Sequence, residues 1–300
     1  MSASAAQGGH IPRVTAPMLQ AMKASRRPIV MVTAYDTPAA RLVDEAGVDA
    51  ILVGDSLGMT VLGYESTLPV TMDEMVNATA AVARGAMRCL VVADMPFMSY
   101  QASADDAVRN AGRLVAEGHA QAVKLEGGAR VADSVRRIVA AGVPVMGHLG
   151  LTPQSVNTMG GYKVQAKQAA HALQLLEDAE ALQDAGVFAI VLECIPLELA
   201  ALVTAELHVP TIGIGAGTGC DGQVQVFHDL LGLGGDFVPR HAKRYADLST
   251  IIREAMSAYA DEVRDGEFPG DSQSTRMDPA ALSEVRRVLG NRRPKASGER

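Results

Sequence analysis

The sequence predicts a closed (β/α)8 barrel, and three features carry that expectation. Short apolar or β-branched runs alternate with helical stretches about eight times from Ile29 onward, which is the pattern of repeated βα units. Several helical stretches stop at a glycine just before the next run, at Gly47, Gly118, Gly142 and Gly186, where a left-handed turn ends a helix without steric cost. Three carboxylates, Asp55, Asp94 and Glu126, each close a strand-like run and precede a helical pattern. In a parallel barrel that position faces the catalytic end.

The elements follow in order. Thr15 is placed to cap a helix over 16–25, with Pro17 tolerated in its first turn; lying ahead of the first strand, this helix is expected to plug one end of the barrel. Strands are predicted over 29–33, 50–53, 89–93, 122–125, 143–147, 188–192 and 211–214, and more weakly over Asp236–Val238. Helices are predicted over 38–46, 72–84, 104–117, 131–140, 168–185, 197–207 and 223–231, with a last one running from beyond Tyr245 to about Asp265. Right-handed crossovers make closure the natural outcome for eight such units. The competing open, doubly wound sheet would carry a GxGxxG after an early strand; Gly213, Gly215 and Gly217 have the wrong spacing and come late. The expected organisation is a frayed tail over 1–14, a single catalytic domain over 15–270, and a polar extension over 271–300, helical over 280–289 and disordered at its end.

Composition narrows the function. With 300 residues, 48% of them hydrophobic, the chain can bury a large core. A net charge of -7 and a pI near 5.5 argue against nucleic acid or an anionic membrane as partner. Aromatics make up only 4%, with no Trp, so base-stacking platforms are not expected. A small molecule is the expected partner, and an anionic one would need local positive charge or a metal. Cys89, Cys194 and Cys220 are widely spaced, with no CxxC, and read as reduced thiols of a cytosolic protein. The first ten residues lack the basic and apolar regions of a secretory signal, and no run reaches the length of a membrane span.

Asp55, Asp94 and Glu126 offer hard oxygen ligands, which suit Mg²⁺ better than zinc. Because Mg²⁺ keeps several waters, one of the three is expected to act through water and leave positions open for substrate. Taken singly, each acid could instead cap the element that follows it. Lys124 precedes Glu126 by two residues, so on a strand both point to the same side, as a functional ammonium or as a charge partner for the acids. Glu193, between Leu192 and Cys194-Ile195-Pro196, ends the sixth strand among apolar neighbours. Burial there would raise its pKa toward that of a general base, the alternative being an acid favouring the next helix dipole. Glu198 reads as a helix-face residue. His148 ends the fifth strand and could donate to a substrate oxygen, orient a carboxylate, or be a satisfied core histidine. Residues 157–163, with Gly160-Gly161, show no periodicity and read as a lid or as an ordinary surface loop; in the lid, Met159 and Tyr162 would cover an apolar ligand.

Eight collinear segments, Val53–Met59, Ser66–Val70, Ala93–Phe97, Val123–Gly128, Gly147–Val156, Gly160–Val164, Leu192–Pro196 and Ile212–Gly217, resemble the 3-methyl-2-oxobutanoate (ketopantoate) hydroxymethyltransferase family over about 15–270. The resemblance implies a (β/α)8 TIM barrel of the phosphoenolpyruvate/pyruvate superfamily, assembled as a cytoplasmic homodecamer of two pentameric rings. It implies Mg²⁺ at Asp55, Asp94 and Glu126, substrate contacts from Asp55, Ser56, Asp94 and Lys124, and Glu193 as proton acceptor. His148 joins the substrate-binding set on the reading above. The implied reaction transfers a hydroxymethyl group from 5,10-methylenetetrahydrofolate to 3-methyl-2-oxobutanoate, giving 2-dehydropantoate in pantothenate biosynthesis. A carbon-carbon lyase of the same superfamily would share the Mg²⁺ chemistry, but it would carry a reactive cysteine in a Lys-Lys-Cys-Gly-His type loop, absent from this chain. A catalytically silent barrel would be expected to have lost one of the acids.

Overall fold

In a computed structural model describing residues 12–235 and 239–292, eight parallel strands close into a barrel in chain order. They are β1 (Ile29–Thr33), β2 (Ala50–Val53), β3 (Leu90–Asp94), β4 (Ala122–Glu126), β5 (Val145–Gly150), β6 (Ala189–Glu193), β7 (Thr211–Ile214) and β8 (Gly222–Gln225). Apart from β8, the strands are near-continuous apolar runs through the barrel's lower height because both faces are covered.

Side-chain alternation divides each strand between two cores. Leu52, Leu90, Val92, Ala122, Met146, Val191 and Ile212 pack together inside the barrel. Val14, Leu19 and Met22, from helix Ala16–Ala24 and the residues before it, join this cluster, so that helix packs against the barrel interior as expected. Thr15 occupies its N-cap position, but the hydroxyl makes no capping bond. Ile51, Val91, Val123, Leu149 and Ile190 have the opposite parity and pack on the surrounding helices. Asp94, Lys124, Glu126, His148 and Glu193 all lie on the interior parity, two residues beyond an apolar interior side chain or another member of the set. The barrel is therefore apolar through most of its height and charged at the strands' C-terminal ends.

The eighth strand departs from the sequence expectation. Asp236–Val238 lies outside the described residues, and Gly222–Gln225 closes the barrel between β7 and β1. The helix expected over 223–231 shortens to Phe227–Leu231. One glycine and two glutamines make this strand poor in β-forming side chains, yet closure requires that glycine. A Cβ at Gly222 would lie 2.5 Å from the Ile29 carbonyl oxygen. Residues 12–246 form one compact unit, and those from Asp247 onward a second, so the expected boundary at 270 falls inside the second unit. That second unit holds helices Leu248–Asp265 and Pro279–Arg292. The tail expected over 1–14 is shorter: Val14 is buried, with its N–H bonded to the Arg88 carbonyl at 2.7 Å, and residues 1–11 lie outside the described residues.

Asp44, in the last turn of helix Thr37–Glu45, fixes the entry to β3 by accepting from the backbone N–H groups of Met87, Arg88 and Cys89. Burial pushes its carboxyl up, but those bonds outweigh burial and hold it below its ordinary value of 3.8. Replacing Asp44 with Ala strands three donors and is expected to cost about 1–3 kcal/mol in denaturant unfolding near neutral pH. A depressed folded pKa contributes stability above the unfolded value and loses it as pH falls through the folded one. The gap between wild type and D44A should therefore narrow below about pH 4; a gap of constant size down to pH 2 would contradict this role.

Candidate active site

At the C-terminal mouth, eight ionisable side chains line one cavity of about 140 Å³: Asp55, Asp94, Lys124, Glu126, His148 and Glu193, with Tyr162 and His241 beside them. Strand register makes several of them neighbours. Asp94 on β3 pairs with Lys124 on β4, and Glu126 on β4 pairs with His148 on β5. Lys124 Nζ lies 2.8 Å from Asp94 Oδ1, with both side chains only 4% exposed. Asp55 follows β2 in a tight turn, where its N–H donates to Asp94 Oδ2 at 3.0 Å. Glycine is required just before it, since a Cβ at Gly54 would sit 2.7 Å from Ser56 Oγ and 3.4 Å from Asp94 Oδ2. Ser56 is tied to the Tyr35 hydroxyl at 2.8 Å. None of the three acids caps a helix: Asp55 Oδ2 accepts from Gln154 Nε2, and Glu126 Oε2 from the Gln154 N–H.

His148 lies between two acids, with Nδ1 3.4 Å from Glu126 Oε1 and Nε2 3.2 Å from Glu193 Oε2. Burial and the Lys124 ammonium push the ring's pKa down, but the two carboxylates prevail and hold it up at about 9. Lys124 Nζ also approaches Nδ1 at 3.2 Å, a contact suited to the neutral ring, whereas the Glu126 contact suits the charged one. Two carboxylates against one ammonium favour the imidazolium, and Nε2 meets Glu193 as an ion-pair contact without an aligned hydrogen bond. The apolar enclosure expected around Glu193 is only partial: its side chain is 16% exposed and has the imidazole beside it.

Burial raises the Asp55 carboxyl well above its ordinary range, reinforced by the charges of Asp94 and Glu126. Asp94 is raised by burial despite Lys124. Burial would also discharge Lys124, but Asp94, Glu126 and Asp55 outweigh it and keep the ammonium charged. Glu126 is lowered: His148, Lys124 and the Gln154 N–H overcome its burial. With all four carboxylates ionised, they face one ammonium and one imidazolium, a formal excess of two negative charges that one divalent cation would balance and that raises Asp55 while uncompensated. The hard oxygen donors suit Mg²⁺, and Asp94 Oδ1 receives no aligned hydrogen bond, Lys124 meeting it as an ion pair. Among the described residues, however, no three or more His, Cys, Asp or Glu side chains are arranged as a ready-made metal cage. The donors present fit the open site expected from the sequence, one that Mg²⁺ could occupy with one or two protein carboxylates and water.

A larger cavity of about 550 Å³ lies behind β4 and β5, beside Arg130, His171 and Asp178. Its size does not make it the reactive site, because the convergent buried charges belong to the smaller one. The two cavities also divide the expected lid: Tyr162 borders the charged cavity, with its hydroxyl 3.7 Å from Met59 Sδ, whereas Met159 lines the larger one. Glu198 lies in the first turn of helix Leu197–Glu206 and lines neither cavity. The sequence reading missed Gln154, Tyr35 and His241. Of these only Gln154 stood inside a quoted segment, Gly147–Val156, and nothing in its spacing marked it.

Fold and site together define a (β/α)8 barrel with a carboxylate-lined mouth, of the architecture seen in phosphonopyruvate hydrolase (TM-score 0.58, 13% identity, 93% of this chain and 99% of that one). The same holds for 2,3-dimethylmalate lyase, a phosphoenolpyruvate mutase/isocitrate lyase superfamily member (TM-score 0.55, 20% identity, 93% and 99%). At those identities the likeness concerns the fold alone. The ketopantoate hydroxymethyltransferase family model matches residues 13–271, and the chain belongs to that family. It is 57% identical over 279 residues to the 3-methyl-2-oxobutanoate hydroxymethyltransferase of Dehalococcoides mccartyi, covering 93% of this chain and 99% of the relative. It is 58% identical over 271 residues to that of Chloroflexus aurantiacus, covering 90% and 96%.

Removing one member of a buried ion pair leaves the other uncompensated, at a cost of about 3–5 kcal/mol. Lys124→Met should lose that much in urea unfolding, and adding Asp94→Asn should restore part of it. Losses that simply add would show that the two groups are not coupled.

Proposed function

We propose that this protein transfers a hydroxymethyl group from 5,10-methylenetetrahydrofolate to 3-methyl-2-oxobutanoate, giving 2-dehydropantoate. The observation that carries the reading is the cavity itself: a carboxylate, Glu193, beside a cluster of acids with an uncompensated charge of two, in a chain of this family. At about 140 Å³ the cavity suits a small keto acid rather than a folate. The folate would therefore approach from the mouth, past Tyr162 and Met59.

Asp55 and Asp94 would hold Mg²⁺, with Glu126 directly or through water. Bound there, Mg²⁺ supplies Lewis acidity to the 2-oxo group and makes the neighbouring C3 hydrogen more acidic. Lys124 and Ser56 hold the substrate's carboxylate end and limit its rotation. Glu193 takes the C3 proton, and the charge of the neighbouring His148 steadies the carboxylate that does so. C3 then forms a bond to the folate's methylene carbon, both bonds from that carbon to the folate nitrogens break, and one water supplies the hydroxyl group, its other proton and the one taken from C3 ending on those two nitrogens. The protein is proposed to work in the cytoplasm as a homo-oligomer, a decamer by family resemblance, with no nucleic-acid or membrane partner. No helix among the described residues is long and apolar enough to cross a membrane.

Incubation with both substrates should give the hydroxymethylated acid with Mg²⁺ present and none with excess chelator. Glu193→Gln should retain binding of 3-methyl-2-oxobutanoate while its C3 proton stops exchanging into deuterated water, followed by NMR. Normal exchange in that variant would remove Glu193 from the base role.

A further inference from the structure

Gln154, only 6% exposed, gathers five hydrogen bonds beside the charged cavity. Its backbone N–H donates to Glu126 Oε2 at 3.0 Å. Its Nε2 donates to Asp55 Oδ2 at 2.8 Å and to the Met95 carbonyl at 3.0 Å. Its Oε1 accepts from the Tyr100 hydroxyl at 2.8 Å and from Gln101 Nε2 at 3.0 Å. The two donors behind the amide fix its orientation: the oxygen must face them, so the NH₂ faces Asp55.

Asp55 follows β2 and Glu126 ends β4, with β3 between them, yet one residue from the turn after β5 reaches both. Each carboxylate gives one oxygen to Gln154. Among the described residues no hydrogen bond goes to Asp55 Oδ1, and Glu126 Oε1 has His148 as its ion-pair partner. The neutrality of the amide matters. An acid at 154 would add to the negative excess, and a cationic side chain would take the place that excess offers to a metal.

We propose that Gln154 is a positioning residue of the cation and keto-acid site, pinning one oxygen of Asp55 and one of Glu126 so that the other oxygens are held for ligands. This rests on the function proposed above. Gln154 acts through these acids and need not touch the substrate. Gln101 and Tyr100 in turn hold the amide in register.

The test compares wild type, Gln154→Met, Gln101→Leu and the double variant. Binding of Mn²⁺, standing in for Mg²⁺, is followed by the loss of its free-ion EPR signal, and the Mg²⁺ concentration giving half-maximal C3 proton exchange is measured alongside. Gln154→Met should weaken Mn²⁺ binding by about 10–100-fold, the usual effect of losing a group that orients a metal ligand, and should raise the half-maximal Mg²⁺ concentration by the same factor. Gln101→Leu alters an exposed side chain that touches neither acid; it should give a smaller loss in the same direction, and no further loss on top of Gln154→Met. A folded Gln154→Met protein with wild-type Mn²⁺ affinity would overturn the inference. If that variant does not fold, unchanged affinity in Gln101→Leu would overturn it instead. Failure of the wild type itself to bind Mn²⁺ would remove the proposed function, and this inference with it.

Discussion

The mouth of this barrel is organised around one buried ion pair, Lys124 with Asp94 at 2.8 Å. Taking a lone charge out of water costs several kcal/mol even after relaxation, so no member of the cluster is tolerable alone. Asp94 makes the buried ammonium acceptable, and Lys124 in turn allows Asp55 and Glu126 to lie close by. Their repulsion is met by donors: the Asp55 N–H on Asp94, and the Gln154 amide and N–H on the other two. Because compensation stops two charges short of balance, the cavity is poised for a divalent cation rather than closed off as a structural salt bridge.

The barrel imposes this arrangement through register. Asp94 and Lys124 are paired residues on adjacent strands, as are Glu126 and His148, and paired residues on neighbouring parallel strands lie about 4.8 Å apart. All face inward because they continue the parity of Val92, Ala122 and Met146 below them. A slip of one residue would turn the charges toward the surrounding helices and bring aliphatic side chains to the mouth. The apolar layers beneath therefore set both the direction of the charged groups and their separation. Glu193 pairs with Gly150, two residues beyond His148 along β5, which puts it nearer the opening and in partial contact with solvent.

Most of this was legible in the sequence because it follows from periodicity. Spacing by two placed Lys124 and Glu126 on one face, and strand ends placed the acids at the mouth. Helix boundaries marked by glycine agreed with the structure to within about two residues. What escaped has identifiable physical causes. The strand Gly222–Gln225 has Val224 as its one branched side chain and no aromatic one, because its glycine makes room for the Ile29 carbonyl and its glutamines give no apolar alternation. The weight of Gln154 comes from a backbone N–H and an amide brought to two distant strand ends, a long-range relation that local pattern does not encode. Met159 and Tyr162 are close in sequence, but the turn at Gly160, with φ of +67°, lies between them and they border different cavities. The setting of Glu193 was read from its apolar sequence neighbours, whereas its spatial neighbour is His148, from the adjacent strand.

The most direct test of the central claim is anomalous diffraction from crystals soaked with Mn²⁺ and 3-methyl-2-oxobutanoate. One metal peak per subunit is expected, with an oxygen of Asp55 and one of Asp94 about 2.1 Å away and the keto acid in contact with the ion on the Glu193 side. A fully occupied peak elsewhere, or keto acid bound in the cavity with no metal beside those two carboxylates, would contradict it.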